Sequence, residues 1–312
     1  MALTVSKLCK QVRSFYQPCI YFSSQIHSVS SQGLLEKSIK SAIESKSYQQ
    51  IADILNTSND TSQTSNTFSF LSNVHESHRT KVIDEILQSF IPIRPRSHPR
   101  VAYAYLLSFT LQSTNPLPVS LAIIQRTLQS GCSPVPQAHL LLSSVWLRER
   151  KQSDQTVVSM LLQMQSIGYK PDGGVCNYLI SSLCKVDQYE EAVQVLRSMS
   201  GAGCIPDLDS FGSVISVLCD LRKTKYVEEL IREMVSKFRL SPRKEMVVKV
   251  LKAMRSNKDV HKAAELVKFL EEKDIQIGFE SYELAKVFEG LTSVGEVELA
   301  YILKKKFTEL NS

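Results

Sequence analysis

The sequence predicts an all-α fold, a right-handed α-solenoid of helix-turn-helix repeats of about 35 residues. The first observation is that Pro171-Asp172 recurs 35 residues later as Pro206-Asp207. The second is that glycine and methionine recur in the same phase, at Gly168 and Gly203 and at Met164 and Met199. The third is that the apolar residues between them follow helical spacing, with little of the Val-Thr alternation of strands. A fixed period of this length is typical of stacked helical units.

The unit at residues 173–207 predicts two antiparallel helices. The apolar stripe of the first helix consists of Val175, Leu179, Ile180, Leu183, Cys184 and Val186. The stripe of the second helix consists of Ala192, Val193, Val195, Leu196 and Met199. Asp187-Gln188 forms the connection, and Gly203 and Pro206 end the unit. One such hairpin cannot bury both stripes, so neighbouring units must stack on it.

The repeat array is predicted to span residues 101–312. Its units are 101–135, 136–172, 173–207, 208–243 and 244–278, followed by a degenerate C-terminal unit at 279–312. Residues 36–100 are predicted to form a degenerate helical N-terminal region. Within it, residues 56–67 contain only Asn, Thr, Ser, Asp and Gln, which predicts a disordered loop.

Residues 1–35 are predicted to be an organellar transit peptide. They contain Lys7, Lys10 and Arg13, seven serines and no Asp or Glu. The apolar residues that share one helical stripe are Val5, Leu8, Val12 and Phe15. The basic amphipathic pattern favours the mitochondrion, with the chloroplast as the alternative. A disordered tail is the simpler interpretation of the same composition. No apolar run approaches the roughly 18 residues of a membrane span, so no membrane insertion is expected.

Three segments carry a family resemblance: residues 168–172, 176–185 and 189–199 read GYKPD, CNYLISSLCK and YEEAVQVLRSM. They resemble a pentatricopeptide repeat (PPR) of the plant organellar type, in a short array similar to the P class. A 34-residue tetratricopeptide repeat is the nearest competitor, and the 35-residue period and the Pro-Asp ending argue against it. The resemblance implies an RNA-binding protein that acts in organellar RNA processing, stability or translation and reads one base of single-stranded RNA per repeat.

By the same resemblance, Asn177 and Asp207 would read a pyrimidine and Lys185 would contact a phosphate. The following units depart from this pattern, because their counterparts of the reading pair are Gly212 with Arg243 and Val248 with Gly278. The net charge of +6 falls to +3 without the three cations of the predicted transit peptide, which is a weak basis for general RNA binding. The alternative function is therefore a helical adaptor for another protein or for the organellar ribosome.

No enzymatic chemistry is predicted. The seven cysteines include no Cys-x-x-Cys pair and no zinc-type Cys/His spacing, and Cys184 and Cys219 occupy equivalent core positions of successive units. The chain has no Gly-rich phosphate loop, no Gly-x-Ser-x-Gly motif and no deaminase signature. We therefore expect no cofactor, no metal and no small-molecule substrate.

Overall fold

A computed structural model describes residues 28–58, 67–273, 275, 281–293, 297, 300 and 301. Those residues contain fourteen α-helices and no strand, which confirms the predicted all-α class. Residues 1–27 of the predicted transit peptide and residues 59–66 of the predicted loop lie outside the described residues. The first of the described helices begins at Ser28 and so crosses the predicted boundary between residues 35 and 36.

Three of the described helices precede the predicted array, and most of the array is built from helix pairs. The N-terminal helices are α1 (Ser28–Glu44), α2 (Gln50–Thr57) and α3 (Glu76–Phe90). The helices that follow are α4 (Arg100–Thr110), α5 (Pro116–Gln129), α6 (Gln137–Gln152), α7 (Val157–Leu162), α8 (Gly173–Lys185), α9 (Tyr189–Ser198), α10 (Leu208–Asp220), α11 (Thr224–Ser236), α12 (Lys244–Ser256), α13 (Val260–Glu272) and α14 (Ser281–Ser293). Short 3₁₀ helices span Ser69–Asn73, Gln163–Ile167 and Ser200–Ala202.

The chain forms two compact units, the first of which comprises the described residues up to Val186 together with Gly201–Cys204. In this unit α4 packs on α6 and α6 packs on α8, so the first helices of successive repeats form one layer. Helix α5 packs against α4, α6, α8 and the 3₁₀ helix at Gln163–Ile167 and forms part of the second layer. Trp146, the largest fully buried side chain, lies in α6.

The second compact unit comprises Asp187–Ser200 and the described residues from Ile205 onward. Helix α10 packs on α9, α11 and α12, and α12 packs in turn on α13 and α14. The apolar stripes of α10 and α11 are buried; their residues are Phe211, Val214, Ile215, Leu218, Cys219, Val227, Leu230, Ile231 and Met234. Burial raises the pKa of the Cys219 thiol to about 11. This core position of Cys219 confirms the prediction made from its place in the repeat.

The recurring Pro-Asp pair has a structural explanation, because each Asp begins the helix that follows it. Asp172 is the N-cap of α8, and its Oδ1 accepts a hydrogen bond from the Val175 amide at 2.8 Å. Asp207 is the N-cap of α10, and its Oδ1 accepts from the amides of Asp209 and Ser210 at 3.0 and 2.8 Å. An N-cap satisfies backbone donors that the first helical turn leaves without partners, so the pair marks the start of each new helix.

The turns of the repeats also explain part of the sequence pattern. Gly168 and Gly203 follow the second helices with φ of 82° and 81°, a left-handed conformation that favours glycine. Between the two helices of a repeat, the left-handed residue is instead Asp187, Arg222 or Lys258, with φ of 58°, 54° and 64°. These intra-repeat turns therefore place polar side chains at fixed positions along the array.

Residues at both edges of the predicted loop, 56–67, are part of the packed fold. Asn56 and Thr57 form the last turn of α2, and the Asn56 side chain donates a 2.9 Å hydrogen bond to the His98 carbonyl. Thr67, at the other edge, is buried. Polar residues can end a helix or fill a core boundary when neighbouring groups satisfy their hydrogen bonds, which composition alone does not reveal.

Candidate functional site

Asn177 and Lys185 lie on the same helix, α8, in the first unit, and Asp207 begins α10 in the second unit. Helix α8 forms because its apolar stripe packs on α6 and α5 and because Asp172 caps its N-terminus. Asn177 is half-buried and Lys185 is exposed. Eight residues of α-helix separate their Cα atoms by about 12 Å along the axis.

A ring stack lies beside Asn177 between α6 and α8. The His139 ring lies 4.2 Å from the Tyr178 ring, with an angle of 11° between the ring planes. The Ser182 hydroxyl donates to the Tyr178 carbonyl at 2.6 Å and lies 2.8 Å from His139 Nδ1. Because the hydroxyl has only one proton to donate, His139 Nδ1 is the donor of the second bond. This arrangement fixes the part of α8 that carries Asn177.

Electrostatics around the stack keep His139 neutral. Burial, with a smaller contribution from the positive charge of Lys185, lowers the pKa of His139 to about 4. Lys185 itself forms no ion pair with any residue that the structure describes. Its ammonium group can therefore contact an external anion without first losing an internal partner.

Asp207 is exposed, but part of its carboxylate already has a role in the fold. Oδ1 is the acceptor for two amides at the start of α10, and the Ser210 hydroxyl lies 2.8 Å from the same atom. Ser210 also accepts a 2.7 Å hydrogen bond from the Asp207 amide, which completes a reciprocal capping box. The residue that the family resemblance assigns to base reading is thus also a structural N-cap, with its orientation set by the helix.

Within the second unit, two exposed acids of α10 form ion pairs with cations at the start of α12 or within it. The Arg243 guanidinium lies 3.0 Å from the Asp209 carboxylate. Asp220, the counterpart of Lys185, lies 3.0 Å from Lys249 Nζ. Each of the two acidic side chains therefore has a cationic partner: Arg243, at the end of the same predicted unit, and Lys249, in the next unit. Sequence reasoning did not identify the pairing of Asp220 with Lys249, which lies 29 residues further along the chain.

In the first unit, the counterpart of Asn177 is apolar. The burial pattern of α8 matches that of α6 with an offset of 37 residues: Val175, Leu179 and Leu183 correspond to Ala138, Leu142 and Trp146, all buried. The same offset places Leu140 at the position of Asn177. Leu140 is 42% exposed, so an apolar side chain faces solvent where the family pattern expects a polar one.

Among the described residues, no group of three or more His, Cys, Asp or Glu side chains is placed to hold a metal ion. None of the described helices is both long and apolar enough to cross a membrane. The five cysteines at positions 132, 176, 184, 204 and 219 are buried free thiols.

Two family models match the chain: one described as the PPR repeat family at residues 171–220, and one described as the PPR repeat at residues 209–237. A pentatricopeptide repeat-containing protein of Arabidopsis thaliana is 48% identical over 312 residues, which covers 99% of this chain and 89% of that protein. The small ribosomal subunit protein mL103 of Arabidopsis thaliana is 33% identical over 70 residues, which covers 22% of this chain and 17% of that protein.

Among solved structures, the maize pentatricopeptide repeat protein PPR10 aligns with a TM-score of 0.40 and 16% identity. That alignment covers 84% of this chain and 38% of the PPR10 chain. The PPR domain of Arabidopsis thaliana protein-only RNase P 1, solved in complex with tRNA, aligns with a TM-score of 0.36 and 16% identity over 62% of this chain and 99% of that domain. The helix pairs, the repeat period and the nearly full-length similarity to the 48% identical relative show that this chain belongs to the pentatricopeptide repeat family.

Proposed function

We propose that this protein binds single-stranded organellar RNA and acts in its processing, stability or translation, without catalysis of its own. The observation that carries the proposal is the similarity to a pentatricopeptide repeat protein over 99% of the chain. The family typically binds single-stranded RNA with one base per repeat. We place the protein in the mitochondrion, with the chloroplast as the alternative, on the basis of the acid-free basic segment at residues 1–35.

Asn177, Asp207 and Lys185 are the contacts that we propose for the best-matched repeat. Asn177 offers both a donor and an acceptor to a base edge, and its place on the packed helix α8 limits its freedom before binding. Asp207 offers acceptors, held in place by its role as N-cap. Lys185 offers an unpaired positive charge, which suits a phosphate and carries no sequence preference.

Two substitutions test these roles by effects that differ in kind. Lys185→Ala is expected to weaken the binding of all single-stranded RNAs equally. It should also reduce the slope of log affinity against log salt concentration by about 0.7, the value for one phosphate contact. Asn177→Thr is expected to change preference at one nucleotide by roughly 1 kcal/mol. Lys151→Ala is a matched control, because Lys151 is also exposed in the last turn of a first helix of the first unit.

Fluorescence anisotropy with purified protein and labelled RNAs of one length measures all three variants. If Lys185→Ala and Lys151→Ala have the same effect, Lys185 has no specific phosphate contact. If the parent protein binds no single-stranded RNA near physiological salt, the proposed function itself is wrong.

A second candidate function is a protein-interaction adaptor, for example on the organellar ribosome. It is favoured by the apolar or small residues Leu140, Gly212 and Val248 at positions equivalent to Asn177, since these cannot hydrogen-bond to a base through their side chains. The short similarity to a ribosomal subunit protein points in the same direction. Crosslinking and purification from isolated organelles, with and without nuclease, separates the two functions: protein partners that persist after RNA is digested favour the adaptor.

A further inference from the structure

Two intra-repeat turns of the second unit, at Arg222 and Lys258, form a basic surface that the family resemblance did not predict. We name this surface the turn edge. It consists of Arg222, Lys223, Lys225, Tyr226 and Lys258. All five residues are exposed, and Tyr226 is 40% exposed in the first turn of α11. The turn edge contains four cations and no acid of its own.

Side-chain hydrogen bonds join the two turns that carry these residues. The Thr224 hydroxyl, at the start of α11, donates to Asp259 Oδ2 at the start of α13. The Asn257 amide group donates to the same carboxylate oxygen at 2.6 Å and to the Thr224 hydroxyl at 3.3 Å. Arg222 and Lys258 are therefore held on neighbouring turns of one packed unit, each with a left-handed backbone.

Three of the four cations of the turn edge have no ion-pair partner among the residues that the structure describes. Arg222, Lys225 and Lys258 make no ion pair with any described residue, and Lys223 lies over the Tyr189 ring at 5.8 Å. The acids closest in the chain already have partners, since Asp220 lies 3.0 Å from Lys249 and Asp259 accepts the bonds described above. A set of exposed cations that are not engaged in internal ion pairs attracts an external polyanion.

We propose that the turn edge binds the phosphate backbone of single-stranded RNA without regard to sequence, while the Tyr226 ring stacks on a base. A basic surface with an exposed aromatic residue is the general arrangement for such binding, because every base has a stackable face. This inference rests on the proposed function and deepens it. The second unit, whose reading positions are Gly212 and Val248, then contributes affinity, and the repeat with Asn177 contributes selectivity.

The test compares two triple variants that remove equal charge from opposite ends of the helices. The turn-edge variant is Arg222→Asn, Lys223→Gln and Lys258→Asn, with Asn chosen because it tolerates left-handed backbone. The control variant is Arg239→Asn, Lys244→Gln and Lys273→Gln, whose residues are exposed in the turns between repeats. Arg239 is a close match, because its φ is 55°.

The measurement is the affinity for oligo(U) and oligo(A) of one length at several salt concentrations. For both RNAs, the turn-edge variant is expected to reduce the slope of log affinity against log salt concentration by about 2. This value corresponds to three phosphate contacts at roughly 0.7 each. The control variant is expected to leave the slope unchanged. Tyr226→Ala is expected to lower the affinity for both RNAs at least about fivefold, whereas Tyr226→Phe is expected to retain the affinity of the parent. Circular dichroism verifies that each variant keeps its helix content.

Two outcomes would overturn the inference and leave the proposed function intact. In the first, neither triple variant changes RNA binding; in the second, both triple variants change it equally. A parent protein that binds no RNA would refute both. If that parent protein instead binds poly-glutamate and the turn-edge variant does not, the turn edge serves an acidic protein partner rather than RNA.

Discussion

Acidification from pH 7 to pH 5 is expected to destabilise the first unit through His139. Its ring stacks on Tyr178, and Ser182 faces Nδ1, so a second proton would add charge at a half-buried position beside Lys185. Burial lowers the pKa of His139 from its ordinary value of 6.5 to about 4. The unfolded chain therefore binds a proton at a pH where the folded protein does not, and stability is lost as pH falls below about 6.5.

The magnitude follows from the same pKa values. A difference of about 2.5 between folded and unfolded states corresponds to roughly 3 kcal/mol in full. Only part of this is lost by pH 5, and solvent reaches one side of the half-buried ring, so we expect a loss of about 1 to 2 kcal/mol. His139→Phe keeps an aromatic ring against Tyr178 but cannot titrate. The variant is thus expected to lose about 1 kcal/mol less than the parent over the same pH interval.

Trp146 provides the assay, because it is the only tryptophan of the chain and is fully buried in α6, two turns from His139. Its fluorescence during urea unfolding reports the free energy of unfolding of the layer that contains His139. Parent protein and His139→Phe are compared at pH 7, 6 and 5. If both lose the same stability between pH 7 and pH 5, the pH dependence arises elsewhere and the description of this stack is wrong.

Three further predictions concern import, packing and capping. Residues 1–35 fused to a fluorescent reporter are expected to direct it to mitochondria, and a uniformly cytosolic signal would contradict the transit-peptide hypothesis. Leu183→Ala and Leu218→Ala are each expected to lower the free energy of unfolding by roughly 2 to 5 kcal/mol, because both side chains are fully buried; melting temperatures within about a degree of the parent would show that the packing is wrong. Asp207→Ala is expected to cost about 1 kcal/mol through loss of the N-cap, whereas Asp207→Asn, which keeps an acceptor, is expected to cost less in the same urea titration.

The sequence predicted the helices well because the residues that recur with helical spacing are the ones that pack in the core. Leu183 and Leu218 recur at one phase of the repeat, and both are fully buried in the structure. Helix boundaries were less predictable where a polar composition suggests a loop but the residues belong to a helix. Asn56 and Thr57 belong to a helix although every residue around them in the predicted loop is polar, since Asn56 finds its partner at His98, 42 residues away.

The sequence predicted the positions of the candidate site residues within single helices, but not their contacts with other repeats. Asn177 and Lys185 could be placed on one helix from their spacing. The pairing of Lys249 with Asp220 could not, because it depends on how two repeats stack. The turn edge left a signal in the sequence, since Arg222 and Lys258 occupy equivalent turns, 36 residues apart. That signal becomes informative only once the neighbouring acids are known to be paired.

The N-caps at Asp172 and Asp207 show that the physical border between repeats differs from the border that we drew from the period of the sequence. Each Asp ends one sequence repeat, yet its carboxylate holds the first turn of the next helix. If a repeat is cut out after Asp207, the following helix loses its N-cap. The excised repeat then keeps an Asp207 carboxylate that no longer caps a helix. Engineered arrays that exchange or delete repeats of this protein should be joined before Pro206, so that each module carries its own initiating residue.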